Sequence, residues 1–202
     1  MDILFWSGGK DSYLALELHR RNTPQATIEL LTTFDETSEI VPHQQIPINR
    51  IKKQAETLDI KLSLIPLPKD CPNKIYLEKI NKALQYKPAA VKHLIFGDWH
   101  LQDIRTWRKK QFKTLGYKCL FPLWQKNSHE LLSMLFLKSV EVRISAVAEE
   151  HKKFIKVGEV YDYRFVRQLP PEIDPLGEYG EFHTEVIFKS GDEAKPADQS
   201  LY

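Results

Sequence analysis

The chain alternates between strand-like and helix-like segments as far as residue 98, and this alternation constrains the fold more than any other feature. Four apolar runs are predicted to be strands, namely residues 3–6, 28–34, 61–67 and 91–96. The three segments between them repeat apolar residues at helical spacing. Strands joined by helices pair in parallel, because a helical crossover returns the chain to the same end of the sheet. We therefore predict an α/β fold, a parallel sheet with helices on both faces.

The second half of the chain has a less regular pattern. The predicted elements are helices over residues 104–115 and 130–137, a short strand and turn over 119–124, and strands over 140–146 and 182–188. An irregular stretch, residues 169–180, precedes the last strand. We predict a main domain over residues 1–125, a smaller α+β subdomain over residues 126–189 and a disordered polar tail over residues 190–202.

The composition indicates a globular protein and argues against several other classes. Of the 202 residues, 42% are hydrophobic and 28% are charged, so the chain can bury a sizeable core. Its 29 basic and 27 acidic residues give a net charge of +2, which predicts neither a nucleic acid nor a membrane as partner. Cys71 and Cys119 form no zinc or redox motif. Because we find no signal peptide and no run long enough to span a membrane, we expect a cytoplasmic protein, and a homodimer remains open.

The turn after the first strand has the composition of a phosphate-binding loop. Residues 7–12 read Ser-Gly-Gly-Lys-Asp-Ser and lead into a predicted helix. Glycines allow a sharp turn whose N–H groups, together with the helix N-terminus, attract an anion. Lys10 adds a positive charge, Asp11 can hold Mg²⁺, and the spacing is not that of a Walker A loop. We predict an ATP·Mg²⁺ site formed by Ser7, Gly8, Gly9, Lys10, Asp11 and Ser12; a plain strand–turn–helix joint is the alternative.

A second polar segment follows the fourth strand. Gly97 and Asp98 end that strand, so they should meet the first loop at the same edge of the sheet. We predict that Gly97 contacts the nucleotide and that Asp98 holds Mg²⁺ or orients a nucleophile. Asp103, Arg105 and Arg108 lie at or near a helix start, and the two arginines share a face, so they could hold the pyrophosphate or a substrate anion, and we predict that the three residues bind substrate. A solvated helix with ion pairs is the alternative.

A third polar segment precedes the last strand. Glu178 and Glu181 lie beside the glycines at positions 177 and 180, and His183 and Thr184 follow them. The carboxylates could bind ammonia or an amine, and His183 could act as an acid or base near neutral pH. We predict that Glu178, Gly180, Glu181, His183 and Thr184 bind substrate. The alternative is a set of polar turn residues.

These segments resemble known enzymes. Residues 7–12 are similar to the PP-loop of the ATP pyrophosphatases, which cleave ATP between its α and β phosphates. Residues 96–108, 121–124 and 174–184 look like the diphthine–ammonia ligase family, and Glu-Phe-His-Thr at 181–184 resembles its bacterial-type branch. The resemblance extends from residue 1 to about residue 188. The chain departs from that branch at Leu176, where a Cys is frequent, and at Tyr179, where an Asn is frequent.

The resemblance implies a Rossmann-like fold of the adenine nucleotide alpha hydrolase type and an AMP- and diphosphate-forming amide ligase. Such an enzyme adenylates a carboxylate, on a small molecule or a protein side chain, and then forms an amide with ammonia or an amine. Lys10, Asp11 and Asp98 are the predicted catalytic residues, with Asp11 and Asp98 as Mg²⁺ ligands. If the source is bacterial, the acceptor is not diphthine. A PP-loop enzyme that modifies tRNA and a non-catalytic nucleotide-binding module are the alternatives.

Overall fold

A computed structural model describes residues 1–188 and contains a central seven-stranded sheet and a separate two-stranded sheet. The strands are β1 (Asp2–Phe5), β2 (Ile28–Asp35), β3 (Ile40–Val41), β4 (Ile46–Pro47), β5 (Leu62–Leu67), β6 (His93–Ile95), β7 (Lys118–Leu120), β8 (Glu141–Val147) and β9 (Phe182–Ile187). The helices are α1 (Lys10–Asn22), α2 (Ile48–Thr57), α3 (Asn73–Gln85), α4 (Gln102–Thr114), α5 (Ser128–Phe136) and α6 (Tyr163–Gln168).

The order of the parallel strands defines where a ligand is expected to bind. Strand β1 pairs in parallel with β2 on one side and with β6 on the other, and β5 and β7 extend the sheet beyond them. The parallel strands therefore lie in the order β5-β2-β1-β6-β7. The chain progresses in one direction from β1 to β5 and in the opposite direction from β6 to β7. In such sheets the crevice for a ligand opens at the carboxyl ends of the two strands where the order reverses, here β1 and β6.

Both faces of the central sheet are buried, as the sequence predicts. Neighbouring strand residues belong to different hydrophobic clusters, since Leu4 packs with α1 and α2 whereas Ile3 packs with α3 and α4. This alternation follows from the two-residue period of a strand. The predicted Rossmann-like α/β architecture is confirmed by the strand order and by the helices on the two faces.

The second sheet pairs β8 and β9 in antiparallel orientation, with an irregular register between Ile144 and Ala146. Side chains of this sheet and of α5, such as Val186 and Leu131, pack in the same cluster as Leu14 of α1. The C-terminal elements thus close over the first helix. The division at residue 125 stays a prediction, and the predicted tail over residues 190–202 lies outside the described residues.

Several short elements are not predicted by the sequence. Strands β3 and β4 have two residues each and add an antiparallel extension to the end of β2, where Asp35 pairs with Ile40. Two residues are too few to show a period, so no pattern marks them. Helix α6 has only six residues, and the Asp162 side chain caps it by accepting a hydrogen bond from the Phe165 N–H. Within residues 1–188, no helix combines the length and the hydrophobicity that a bilayer crossing requires.

Candidate functional site

The loop after β1 and the end of β6 are in direct contact. A β-carbon added to Gly97 would lie 2.8 Å from the carbonyl oxygen of Asp11 and 3.0 Å from the Ser12 nitrogen. Only glycine allows the end of β6 to pack this closely against the first turn of α1. The first two polar segments of the sequence therefore meet at the reversal of strand order, as we predicted.

The conformation of the loop depends on Gly8. Its φ of +82° lies in the left-handed region, which other residues rarely adopt. An added β-carbon would also lie 2.6 Å from the Ile51 δ-methyl and 2.8 Å from the Gln54 side-chain oxygen. Gly9 then adopts an extended conformation and caps α1, which begins at Lys10. The chain thus turns sharply from a buried strand into a helix whose N-terminus faces the crevice.

A buried glutamine, which the sequence analysis missed, holds the loop. The Gln54 amide donates hydrogen bonds to the carbonyl oxygens of Gly8 (3.1 Å) and Val186 (2.7 Å), and its oxygen accepts one from the Trp6 indole (2.8 Å). The Val186 N–H also donates to the Gly8 oxygen at 2.9 Å. A signal for Gln54 exists in the sequence, since this polar residue lies on the otherwise apolar face of α2 beside Ile51.

The third polar segment reaches the loop through β9. The Thr184 hydroxyl accepts a hydrogen bond of 3.1 Å from the Lys10 backbone N–H. A β-carbon on Gly9 would lie 2.9 Å from the Thr184 carbonyl oxygen. All three segments singled out in the sequence therefore converge, although Thr184 and Lys10 are 174 positions apart.

The structure corrects the expected setting of Lys10. A lysine in a glycine-rich turn is expected to be exposed, but Lys10 is only 3% exposed, and its ammonium forms an ion pair with Asp11 at 2.8 Å. Lys10 opens the helix, and its backbone N–H is bonded to Thr184 of β9. Ser12 is also buried, and its hydroxyl donates to the Gly9 carbonyl oxygen at 2.9 Å. The Ser7 hydroxyl lies 3.4 Å from the Ser12 hydroxyl. The one charge at the loop that solvent reaches belongs to Asp11, whose side chain is 34% exposed.

Asp98 lies buried between positive and negative neighbours. Arg108 Nε lies 2.9 Å from the carboxylate as an ion pair without the alignment of a hydrogen bond. Burial raises the pKa of Asp98, Arg108 opposes this rise, and Asp11 adds to it. The Arg108 guanidinium also lies 4.3 Å above the Phe96 ring, and burial raises the pKa of partly buried Tyr76 while Arg108 lowers it. Tyr76 escapes the sequence analysis because it resembles any other apolar position of α3.

Glu178 is the most perturbed carboxyl group of the site. Its side chain is 10% exposed, and His100 Nδ1 lies 3.8 Å from its carboxylate. Burial raises its pKa to about 8, with a further rise from Asp11 that Lys10 partly offsets. A carboxyl group of this pKa keeps its proton at neutral pH unless a cation binds beside it.

Glu181 and His183 have different surroundings. Both oxygens of Glu181 accept backbone hydrogen bonds within their own segment, from Asp174 at 3.0 Å and from Tyr179 at 2.9 Å. This carboxylate therefore shapes the segment. Burial lowers the pKa of His183, and His43, whose ring centre is 5.9 Å away, lowers it further. His183 is thus neutral at physiological pH and able to accept a proton.

The remaining predicted residues are spread around the site. Asp103 is exposed in the first turn of α4, and Gly180 has open space around it. Arg105 lies against the Trp124 ring, with 4.2 Å from its guanidinium carbon to the ring centre. Asp103 therefore does not join the cluster around Asp98.

Two surface cavities occur away from this cluster. One of about 440 Å³ lies between α2 and β5 and is lined by residues such as Lys52 and Leu64, and another of about 360 Å³ is lined by Phe136 and Tyr163. Neither includes a residue of the predicted site. In the part of the chain that the structure describes, no group of three or more His, Cys, Asp or Glu side chains is arranged to hold a metal.

Comparisons with known proteins add little to this geometry. No protein-family model matches the chain, and no curated protein is similar to it in sequence. Among solved structures, it is similar to a predicted subunit of a tRNA methyltransferase from Methanocaldococcus jannaschii, with a TM-score of 0.49 and 16% identity over 93% of this chain and 97% of that one. At this distance no functional argument rests on the similarity.

Proposed function

We propose that the protein is an ATP-dependent amide ligase of the diphthine–ammonia ligase type. It would activate a carboxylate as its adenylate, release diphosphate, and transfer the acyl group to ammonia or an amine. The observation that carries the proposal is the convergence of three segments at the reversal of strand order. The loop at residues 7–12 contacts Gly97, the residue before Asp98, and Asp11, Lys10 and Asp98 all act electrostatically on Glu178.

The loop supplies what a triphosphate needs. The first N–H groups of a helix have no partner within it and carry partial positive charge, so the start of α1 favours phosphate oxygens. The Lys10 ammonium is held at the same place by Asp11. These groups would stabilise the negative charge that builds up on the leaving diphosphate.

Asp11 and Asp98 fit a magnesium ion that ATP brings with it. Each raises the pKa of a neighbouring carboxyl group, since Asp11 acts on Asp98 and both act on Glu178. A divalent cation between them would relieve this repulsion. Two carboxylates complemented by phosphate oxygens and water are a common magnesium coordination in proteins.

The reaction has two steps. An oxygen of the acceptor carboxylate forms a bond to the α-phosphorus while the bond to the β-phosphate oxygen breaks, and diphosphate leaves. The nitrogen of ammonia then bonds to the acyl carbon, the bond to AMP breaks, and the nitrogen loses a proton. Glu178, once ionised, can hold the incoming nitrogen as its cation and take the proton that this cation must lose before it attacks. Neutral His183 can accept the proton that the nitrogen loses afterwards.

The two cysteines argue against the alternative of a tRNA-modifying enzyme that transfers sulfur. Sulfur transfer requires a thiolate, yet burial raises the pKa of the Cys119 thiol to about 11. Cys71 is partly buried in the cluster that also holds Cys119, on the face of the sheet covered by α3 and α4.

Product analysis tests the proposal. With ATP, Mg²⁺, ammonium and a panel of carboxylates, we expect equal amounts of AMP and diphosphate, formed only when an acceptor is present. Lys10→Met should lower turnover by about 100-fold or more, whereas Lys152→Met, at a distant exposed lysine, should leave it unchanged. Formation of ADP and orthophosphate would contradict the proposal.

A further inference from the structure

Two cations of α4 have no carboxylate partner among the described residues. Lys10 pairs with Asp11, and Arg108 pairs with Asp98. Within residues 1–188, by contrast, Arg105 forms no ion pair, and neither does Lys109 on the next turn of α4. Their two positive charges are therefore available to an anion.

Aromatic rings hold these two cations in place. The Arg105 guanidinium lies 4.2 Å from the Trp124 ring centre and 5.6 Å from that of Phe121, and the Lys109 ammonium lies 5.8 Å from the same Phe121 ring. Arg105 Nε is buried and lacks a hydrogen-bond partner among the described residues. A buried charged donor without a partner is costly, so this atom indicates that a ligand completes the group.

The place of this group relative to the loop sets the size of a ligand. Phe121 directly follows β7, which pairs with β6, and β6 pairs with β1. Because adjacent strands are ~4.8 Å apart, the end of β7, beside the Phe121 ring that Arg105 faces, lies roughly two strand spacings, ~10 Å, from the end of β1, where the phosphate loop begins. Asp98 belongs to the segment that follows β6, the strand between β1 and β7. A small acceptor could reach from the α-phosphate to Arg105.

We propose that Arg105 and Lys109, with the rings of Phe121 and Trp124, form a subsite for a second carboxylate, so that the acceptor is a small dicarboxylate. This inference rests on the proposed function. The guanidinium fork suits a carboxylate held through two hydrogen bonds. The aromatic walls suit the hydrocarbon chain that links the two carboxylates.

Binding without nucleotide tests the subsite apart from the reaction. Calorimetry would compare succinate, glutarate and adipate with butyrate, valerate and hexanoate, which have matching chain lengths. We expect at least one dicarboxylate to bind about tenfold or more tightly than its matched monocarboxylate. Binding should change the fluorescence of Trp124, and Trp124→Phe should remove that change.

Two variants on one helix separate charge from position. Arg105→Gln should abolish the preference for dicarboxylates, while Lys110→Gln, which removes an exposed charge of the same helix, should preserve it. Circular dichroism would confirm that both variants are folded. Arg105→Lys should restore the preference only in part, because it lacks the fork.

The possible failures are distinguishable. Equal binding of the matched acids, or no binding of any dicarboxylate, would overturn the subsite. Weaker diphosphate binding by Arg105→Gln with unchanged dicarboxylate binding would also overturn it and would place Arg105 in the nucleotide site. If dicarboxylates bind as expected but no AMP forms with any acceptor, the subsite stands and the proposed ligase reaction fails.

Discussion

Gly8 combines two constraints that Gly180 does not share. Both Gly8 and Gly180 have positive φ, +82° and +89°, but only Gly8 lacks room for a β-carbon. Alanine at Gly180 should cost the left-handed backbone strain alone, about 1–2 kcal/mol. Alanine at Gly8 should cost a further ~1–3 kcal/mol, because Gln54 is fixed by hydrogen bonds. Urea unfolding measures the difference, and equal losses would contradict the described packing.

Glu178 should make the stability of the protein depend on pH. Its pKa is raised from 4.5 to about 8, so the folded state holds the proton more tightly than the unfolded state. Its stabilising contribution is therefore complete below pH 4.5 and is lost as the pH rises towards about 8. Asp98 and Glu185, whose pKa values are also raised, add a slope of the same sign.

The variant Glu178→Gln isolates this contribution. As the pH rises from about 5 to about 9, the free energy of unfolding should fall more in the wild type than in Glu178→Gln. The exposed control Glu172→Gln should follow the wild type. The measurement is urea unfolding without ATP or Mg²⁺ at both pH values. A wild type that loses no more stability than Glu178→Gln would show that Glu178 has an ordinary pKa.

Residue types and their order suffice to locate the phosphate loop. They do not predict which residues of the loop are buried. Residues 7–12 were identifiable because glycine, lysine and aspartate follow an apolar run at the start of a helix. The burial of Lys10 was not identifiable, because its neighbour in β9, Thr184, lies 174 positions away in the sequence. The role of Glu181 within its own segment was equally hidden, since it depends on the fold of residues 174–179.

At the scale of elements, α2 and β9 together hold the phosphate loop. Gln54→Leu should leave the Trp6 indole N–H and the Val186 carbonyl without partners and should destabilise the protein by about 1–3 kcal/mol for each. It should also weaken ATP binding, because Gly8 loses one of its anchors. Thermal unfolding and calorimetry would measure the two effects.

Thr57→Val is the matched control on the same helix. The Thr57 hydroxyl bonds only to the Lys53 carbonyl oxygen at the surface, so its loss should change stability by no more than ~0.5 kcal/mol. If Gln54→Leu proves as mild as this control, α2 does not hold the loop.

Most elements were predictable, and the exceptions are β3, β4 and α6. Helices α1 to α5 match segments with a helical period, and strands β1, β2, β5, β6, β8 and β9 match apolar runs or alternating segments. Strands β3 and β4 depend on pairing with the end of β2, and such a tertiary contact leaves no local pattern. Helix α6 is marked only by its capping residue, Asp162.

For the whole molecule, strand order is the property that the sequence left open. Alternating strands and helices predict a parallel sheet, but not that β6 lies beside β1. That neighbourhood brings Gly97 against Asp11 and places the reversal of strand order at the phosphate loop. In any parallel sheet, the loops after β1 and β6 would lie at the same edge. Their direct contact requires in addition that β6 lies beside β1.

The central claim is that ATP binds at this reversal. Amide signals in a ¹⁵N spectrum, recorded with Mg²⁺ and an ATP analogue that cannot be cleaved between its α and β phosphates, test it without knowledge of the acceptor. The account predicts the largest shifts at residues 8–12, at Gly97 and at Thr184. Unchanged signals there, with shifts instead around the cavity lined by Lys52 and Leu64, would contradict it.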